Sequence, residues 1–468
     1  MALGGLMARA YTQIASAPDY TLRIAPLRLE LSPGRVIDTF AYNGTVPGPA
    51  LRLREGRQVN IDIRNDTDVD DLVHWHGLYV PADVDGAMEE GSPMVERGTM
   101  RRFTFAPKPT GTRWYHSHDV AGTDLRRSLY SGMYGFLIVE PASDPGRYDR
   151  EVLLAAHHWQ GSWVSMQDIR KGPPPDNGLE VMYAAASFND RMLGHGEPIR
   201  VREGERVLFR LLNASPTENV TMALPGHRFT VVALDGNAVP AQRTIETLFL
   251  APAERADVIV EMKRPGVWIL GAVSDEDRKL GLGVVVEYAN ERGEPKWEAP
   301  ANSPWDYTTF GTDRPAPAPD ERLELLFEKA PGGRGGYNRW LINGKSWPDT
   351  NPLFTTERGA LSPCHDQQER RQPPRPPPSS HVRGDQGGRQ DHRGRDEGYD
   401  QHDAIQHGRD RFRRRRPGSL AAALPSSGSS GRRLHGADDV PLSGRELRIF
   451  AISIGRTLKY EVFCCGRP

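Results

Sequence analysis

Between residues 51 and 65 apolar and polar side chains alternate. Leu51, Leu53, Val59, Ile61 and Ile63 fall on one side, charged and amide residues fall between them, and Glu55-Gly56 interrupts the run. A period of two is the signature of a half-buried strand, and the interruption is a turn signal. Residues 197–213 repeat the design, with Ile199 and Val201 before Glu203-Gly204 and Val207, Phe209 and Leu211 after it. A third copy starts at 341–347 and reaches Phe354 and Arg358-Gly359. Each is predicted as a β-hairpin opening, complete with its second strand in the first two. Copies about 150 residues apart are too widely spaced for a solenoid and suit repeated β-sandwich domains.

On this reading the first domain spans 20–142 and closes on the apolar run 135–140. The second spans 150–290 and ends near 283–287. Residues 291–320 form a proline-rich linker that includes Arg314-Pro315-Ala316-Pro317-Ala318-Pro319, and a third domain opens over 321–358. A chain of 468 residues has room for these domains, and 48 glycines with 39 prolines suit many short strands joined by turns. A net charge of -1 gives no whole-chain electrostatic case for nucleic acid or a membrane surface. No apolar run approaches a membrane span. Residues 1–16 lack the basic start and long apolar stretch of an intact signal peptide. Cys364, Cys464 and Cys465 all fall in the last quarter, so no disulfide framework is expected.

Two motifs carry candidate chemistry: Val73-His74-Trp75-His76-Gly77 and Trp114-Tyr115-His116-Ser117-His118. Residues i and i+2 of a strand face one side, so each His-X-His aims two imidazoles at one point. Neutral imidazole ligates copper, zinc, iron and nickel, and nitrogen donors alone do not choose among them. A single His-X-His often just lines a sheet face. Two such pairs about 40 residues apart, each beside a tryptophan, point to a metal site. His157 and His158 read as a packed or solvent-facing pair, and His195 and His227 as structural or surface groups in glycine-containing turns.

The run from His74 to Pro81 with Val84-Asp85-Gly86, the Trp114-to-His118 motif and the opening Tyr42-Asn43-Gly44-Thr45-Val46-Pro47-Gly48-Pro49 resemble the copper motifs of multicopper oxidases. The likeness covers about residues 20–358 and is closest to bacterial laccase-like and copper-resistance oxidases. It implies an all-β fold of tandem cupredoxin-like (plastocyanin-like) Greek-key β-sandwiches, the third incomplete. It implies copper as cofactor, with His74 on a type 2 copper and His76, His116 and His118 on a type 3 pair. Asp85 matches an acidic residue that helps deliver protons to reduced oxygen; its plain alternative is the first residue of an Asp-Gly turn. The implied partners are a small-molecule or metal-ion reductant and O2, and the implied location is periplasmic or extracellular.

The family's last domain carries a His-Pro-X-His-Leu-His motif and a His-Cys-His motif, and neither is present here. The latter's thiolate belongs to the type 1 copper, so that site is absent from the sequence as written. Residues 359–468 instead read as an aberrant segment, rich in Arg, Pro, Ser, Gly and Asp, with the composition of disorder. A shift of one base would account for it, the alternative being a natural disordered, basic tail. Starting each triplet one base later, residues 372–381 can encode Asn-His-Pro-Val-His-Leu-His, and residues 423–429 can encode His-Cys-His-His. Both motifs return in one alternate frame and in order. His365, His381, His392, His402, His407 and His435 lack paired strand spacing and are not assigned as ligands, nor is Cys364 beside His365.

The leading expectation is therefore an oxidase coupling one-electron oxidation of a phenolic or metal-ion substrate to reduction of O2 to water, impaired in the chain as written. The alternative is a non-catalytic copper-binding protein of the same fold, separable by the blue absorption of a type 1 site. A nucleic-acid-binding tail around Arg411–Arg416 ranks last, because charge runs are usually solvated or disordered and Phe412 alone makes no interleaved stacking pattern.

Overall fold

The computed structural model describes residues 17–88, 91–141, 147–165, 179–301, 304–312, 321–330, 339–346, 349–350, 353–356, 361–365 and 444–447. The first unit contains β1 (Tyr20–Ser32), β2 (Arg35–Tyr42), β3 (Gly48–Arg54), β4 (Val59–Asn65), β5 (Val73–His76), the short helix α1 (Ala82–Asp85), β6 (Met100–Phe105), β7 (Gly111–Ser117) and β8 (Tyr134–Glu140). The strands form two four-stranded sheets, ordered β2-β1-β4-β6 and β3-β8-β7-β5. Leu22, Ile24, Leu51, Leu53, Ile61, Ile63, Trp75, Phe103, Phe105 and Tyr115 fill the space between them.

The alternation that marks β3 and β4 as strands does report their buried faces: Leu51 and Leu53 point inward while Arg52 and Arg54 point out. The expected hairpin is a different matter. β3 pairs in parallel with β8 and β4 in parallel with β1, so the two strands flanking Glu55-Gly56 lie in opposite sheets. Both strands bury their apolar faces in one core, and a corner between sheets achieves this as well as a hairpin would. Local alternation does not distinguish the two.

The second unit repeats that corner. Its strands are β9 (Arg150–Trp159), β10 (Ser162–Ser165), β11 (Leu179–Met182), β12 (Ala185–Phe188), β13 (Ile199–Val201), β14 (Arg206–Asn213), β15 (Val220–Ala223), β16 (Phe229–Leu234), β17 (Asn237–Ile245), β18 (Leu248–Leu250), β19 (Arg255–Glu261), β20 (Val267–Ala272) and β21 (Gly283–Tyr288). They build sheets ordered β12-β9-β14-β19-β16-β17 and β13-β21-β20-β15-β18, with β10 and β11 paired apart. β9 runs parallel to β14, and β13 to β21, as β1 does to β4 and β3 to β8. The helix α2 (Asp275–Leu280) packs beside β12, its N-terminus capped by Ser274.

The two units share an apolar seam. Leu29, Leu31, Ile37, Trp114, Tyr134 and Phe136 of the first meet Ala155, Trp159, Ala185, Leu212 and Ala214 of the second. Beyond them, Glu321–Leu325 pairs in parallel with Leu361–His365, Phe327–Ala330 pairs with Arg339–Ile342, and Leu353–Thr356 pairs with Gly444–Leu447. The segment the sequence marks as aberrant thus contributes two short strands. Its remaining residues, with His381, His392, His402, His407, His435, Cys464 and Cys465 and both sites of the alternate frame, lie outside the described residues, as do residues 1–16 and the proline run 314–319. Among the described residues no helix is long and apolar enough to cross a membrane.

Candidate metal centre

β5 and β7 run antiparallel, with His74 opposite His116 and His76 opposite Trp114. Trp75 and Tyr115, of opposite parity, point into the core of the first unit against Phe103 and Phe105, which fixes the face the histidines take. The ligand nitrogens of His74, His76 and His116 all lie within 4.8 Å of one another. His118 sits at the rim, its ring centroid 5.3 Å from that of His74 and 5.9 Å from that of His116. β7 ends at Ser117, so strand alternation no longer governs His118.

Hydrogen bonds at Nδ1 set the tautomer of two rings. His74 Nδ1 donates to the Asp85 carbonyl at 2.6 Å, and His116 Nδ1 donates to the Ser117 carbonyl at 2.9 Å, leaving Nε2 of each as the lone-pair donor to a metal. His116 Nε2 lies 3.3 Å from His76 Nδ1. That spacing fits two imidazoles sharing one metal at about 2.0–2.1 Å. Burial, aided by Arg255, His74, His118 and Arg113, drives the His76 imidazole well below its usual pKa. Burial and the neighbouring histidines do the same to His116. Both rings are therefore neutral, the form that ligates. The Trp114 ring stacks on His116 with centroids 4.0 Å apart. A converging set of imidazole nitrogens with no carboxylate among them suits copper or zinc and disfavours magnesium or calcium.

Asp85 closes α1 and precedes Gly86, whose left-handed backbone (φ 88°) ends the turn. Its carbonyl holds His74, while its Oδ1 lies 3.5 Å from the same ring nitrogen. Burial pushes this carboxyl up to about 6, against the opposing pull of His118. A Cβ at Gly86 would fall 2.1 Å from the Val73 carbonyl and 2.6 Å from His74 Cα. Gly86→Ala is therefore expected to cost more than about 2 kcal/mol, from backbone strain plus displacement of β5. Urea midpoints of the two proteins measure this, and an unchanged midpoint would show that the turn relaxes.

The other histidines are packed or peripheral. His157 is buried with Nδ1 on the Ala214 carbonyl at 2.7 Å, between Tyr134 and Trp159, and burial pushes it down to about 3. His158 is also buried, hydrogen-bonded to Ser215 Oγ at 2.8 Å, so of the two readings of this pair packing is the one observed. His227 bonds the Pro225 carbonyl and the Tyr288 hydroxyl, and His195 is exposed. Two buried cations beside the site, Arg113 and Arg255, were not marked by the sequence reading. The available clue was a lone arginine on the otherwise buried run of β7.

The multicopper oxidase family profiles match residues 29–144 and 164–289, together more than half of the chain. The chain belongs to the multicopper oxidase family. Multicopper oxidase MmcO of Mycobacterium tuberculosis is 26% identical over 368 residues, covering 71% of this chain and 69% of that protein. Copper resistance protein A of Pseudomonas syringae pv. tomato is 27% identical over 291 residues, covering 53% of this chain and 46% of that protein. The chain thus spans about half the length of this copper-resistance relative. The crystal structure of Fet3p, a multicopper oxidase that functions in iron import, superposes with a TM-score of 0.50 at 20% identity, over 69% of this chain and 63% of that one. That likeness speaks to the fold alone, which is the all-β cupredoxin-like architecture expected from the motifs. Multicopper oxidases are copper-dependent oxidoreductases that take electrons from a reductant and use O2 as acceptor, so the family implies copper for this chain.

Proposed function

We propose that this chain is a laccase-like oxidase that couples one-electron oxidation of a phenolic or metal-ion substrate to reduction of O2 to water. The observation that carries the reading is the convergence of His74, His76 and His116 on one point, with His118 at its rim. Copper held there would supply the redox chemistry. In this reading His74 serves a type 2 copper, and His76, His116 and His118 serve a type 3 pair. The protein's own work is to fix the imidazoles and manage protons. The Asp85 and Ser117 carbonyls orient two rings, and burial keeps two of them neutral. The Asp85 carboxyl, poised at about 6, holds and releases a proton 3.5 Å from the His74 ring. Its place at the end of α1 suits that role and the turn role together.

The domain divisions at 20–142, 150–290 and 321–358 belong to the same reading, as does a periplasmic or extracellular location. The ligands that complete the cluster, and the thiolate site that receives substrate electrons, lie in the alternate frame of the last segment. As written, the chain holds half a cluster and turns over slowly.

Copper content and absorption near 600 nm of purified, copper-loaded protein test this. About four coppers with a blue band are expected of the protein with the frame restored. About one copper and no blue band are expected of the chain as written, which would then act as a copper-binding protein. No copper uptake by either form would overturn the proposal. Sequencing the gene tests the frame separately, since third bases that forbid histidine in the alternate frame exclude the slip.

A further inference from the structure

Two guanidinium groups close over Gly77, the residue after His76, and they come from different units. Arg113 lies on β7 and Arg255 opens β19, and each is only 2% exposed. Arg255 Nη2 donates to the Asp235 carbonyl at 3.1 Å and Nη1 to the Ala253 carbonyl at 2.7 Å, with Asp235 Oδ1 3.2 Å away. Its Nε reaches across the seam to the Thr112 carbonyl at 3.4 Å. Arg113 Nη1 also donates to the Asp235 carbonyl, and its Nη2 reaches the Thr110 carbonyl at 2.8 Å and Asn237 Oδ1 at 2.9 Å. Both forks therefore converge on the turn at 235–237, between β16 and β17 of the second unit.

The turn holds the arginines, and the arginines lie against Gly77. That glycine has φ 82°, and a Cβ on it would meet Arg255 Nη2 at 2.9 Å and Arg113 Cδ at 3.1 Å. The three atoms nearest that Cβ position all belong to these two arginine side chains. Burying two like charges side by side is a costly way to join two domains, since each ion loses several kcal/mol of hydration. Apolar residues, which already form most of this seam, would join them at lower cost. A planar, rigid fork held by carbonyls, as that of Arg255 is, does offer a fixed surface, which a flexible apolar side chain does not.

We infer that Arg255 is a positioning residue for the metal site: by bracing Gly77 it fixes His76, and it makes metal affinity in the first unit depend on the second. The inference rests on the reading that His74, His76 and His116 bind copper. Supporting contacts around metal ligands typically change affinity by about 10- to 100-fold when removed, although they touch no metal.

The test is copper(II) titration of the full chain, followed by calorimetry and by electron paramagnetic resonance of the one-copper form. Arg255→Gln, with folding verified by near-UV circular dichroism, is expected to weaken binding by about 10- to 30-fold and to change the copper hyperfine splitting. Arg255→Lys, which keeps the charge, is expected to recover part of the affinity. Asp235→Asn loosens the brace without removing it, should weaken binding severalfold, and serves if Arg255→Gln does not fold. Arg52→Gln removes a contact between the units away from Gly77, to Glu151, and is expected to match wild type. Wild-type affinity and spectrum in folded Arg255→Gln or Asp235→Asn would overturn the inference. Equal losses in Arg52→Gln would reassign the effect to the seam as a whole and overturn it too. Failure of wild type itself to bind copper sinks the function proposal instead, and is seen before any variant is compared.

Discussion

Leucine at both His76 and His116 is expected to abolish tight copper binding while leaving the copper-free protein at least as stable as wild type. The two rings are 3% and 4% exposed and face each other with Nδ1 and Nε2 3.3 Å apart. Burial strips both of water and drives their pKa values far down, so the fold carries two desolvated polar groups that pack little better than leucine. Replacing both partners of a buried polar contact by apolar groups of similar shape is close to neutral or stabilising, whereas replacing one strands the other. The Trp114 ring that stacks on His116 can pack against a leucine instead. Copper would be left with His74 and the peripheral His118, and affinity should fall by more than the roughly 100-fold that loss of a supporting contact produces. Titration calorimetry with copper(II) and urea unfolding of the unloaded protein read the two effects separately. Copper bound as tightly as before would remove these histidines from the site. A copper-free variant weaker by about 2 kcal/mol or more would make the imidazoles packing elements rather than groups kept at a cost to stability.

How far the sequence speaks differs between the fold and the site, and for physical reasons. Alternation at Leu51, Leu53, Val59, Ile61 and Ile63 identifies strands and their inner faces, because the period is a property of the strand itself. It leaves the partner open, and the corner at Glu55-Gly56 reads as a hairpin until the registers of β3 with β8 and β4 with β1 are known. The same rule places His74, His76 and His116 together, since all three lie within strands. It does not govern His118, one residue past the end of β7, whose ring nevertheless comes within 5.3 Å of that of His74. Arg113 and Arg255 are 142 positions apart in the chain, and their meeting over Gly77 depends on how one sandwich docks on the other. No local pattern encodes that docking. What encodes it is a set of side chains scattered along both units, each ordinary where it stands.

Those side chains include a third arginine, partly buried, and its removal is expected to have the largest effect on stability. Arg210 of β14 donates through Nη1 to Asp257 Oδ2 and to Thr112 Oγ1, both at 2.8 Å, and its Nε bonds Glu151. Thr112 Oγ1, from the first unit, donates in turn to Asp257 Oδ1 at 2.6 Å. Arg210→Met fills the same volume and leaves Asp257 buried without its counter-ion, which should cost about 3–5 kcal/mol. The pH dependence gives the mechanism away. In wild type, burial already raises the Asp257 pKa, with Arg210 opposing the rise. Without Arg210 it rises further above the ordinary value of about 3.9 that it regains on unfolding. The native state of the variant then binds a proton that the unfolded state releases, so its stability falls as pH rises through that window and recovers as pH falls. The deficit relative to wild type should therefore be largest at pH 7.5 and shrink toward pH 5, as denaturant midpoints at the two values would show. A deficit constant with pH would mean that lost packing, not a stranded carboxylate, destabilises the variant. Adding Asp257→Leu to Arg210→Met removes the stranded charge, and recovery of much of the lost stability by that pair would locate the cost at Asp257.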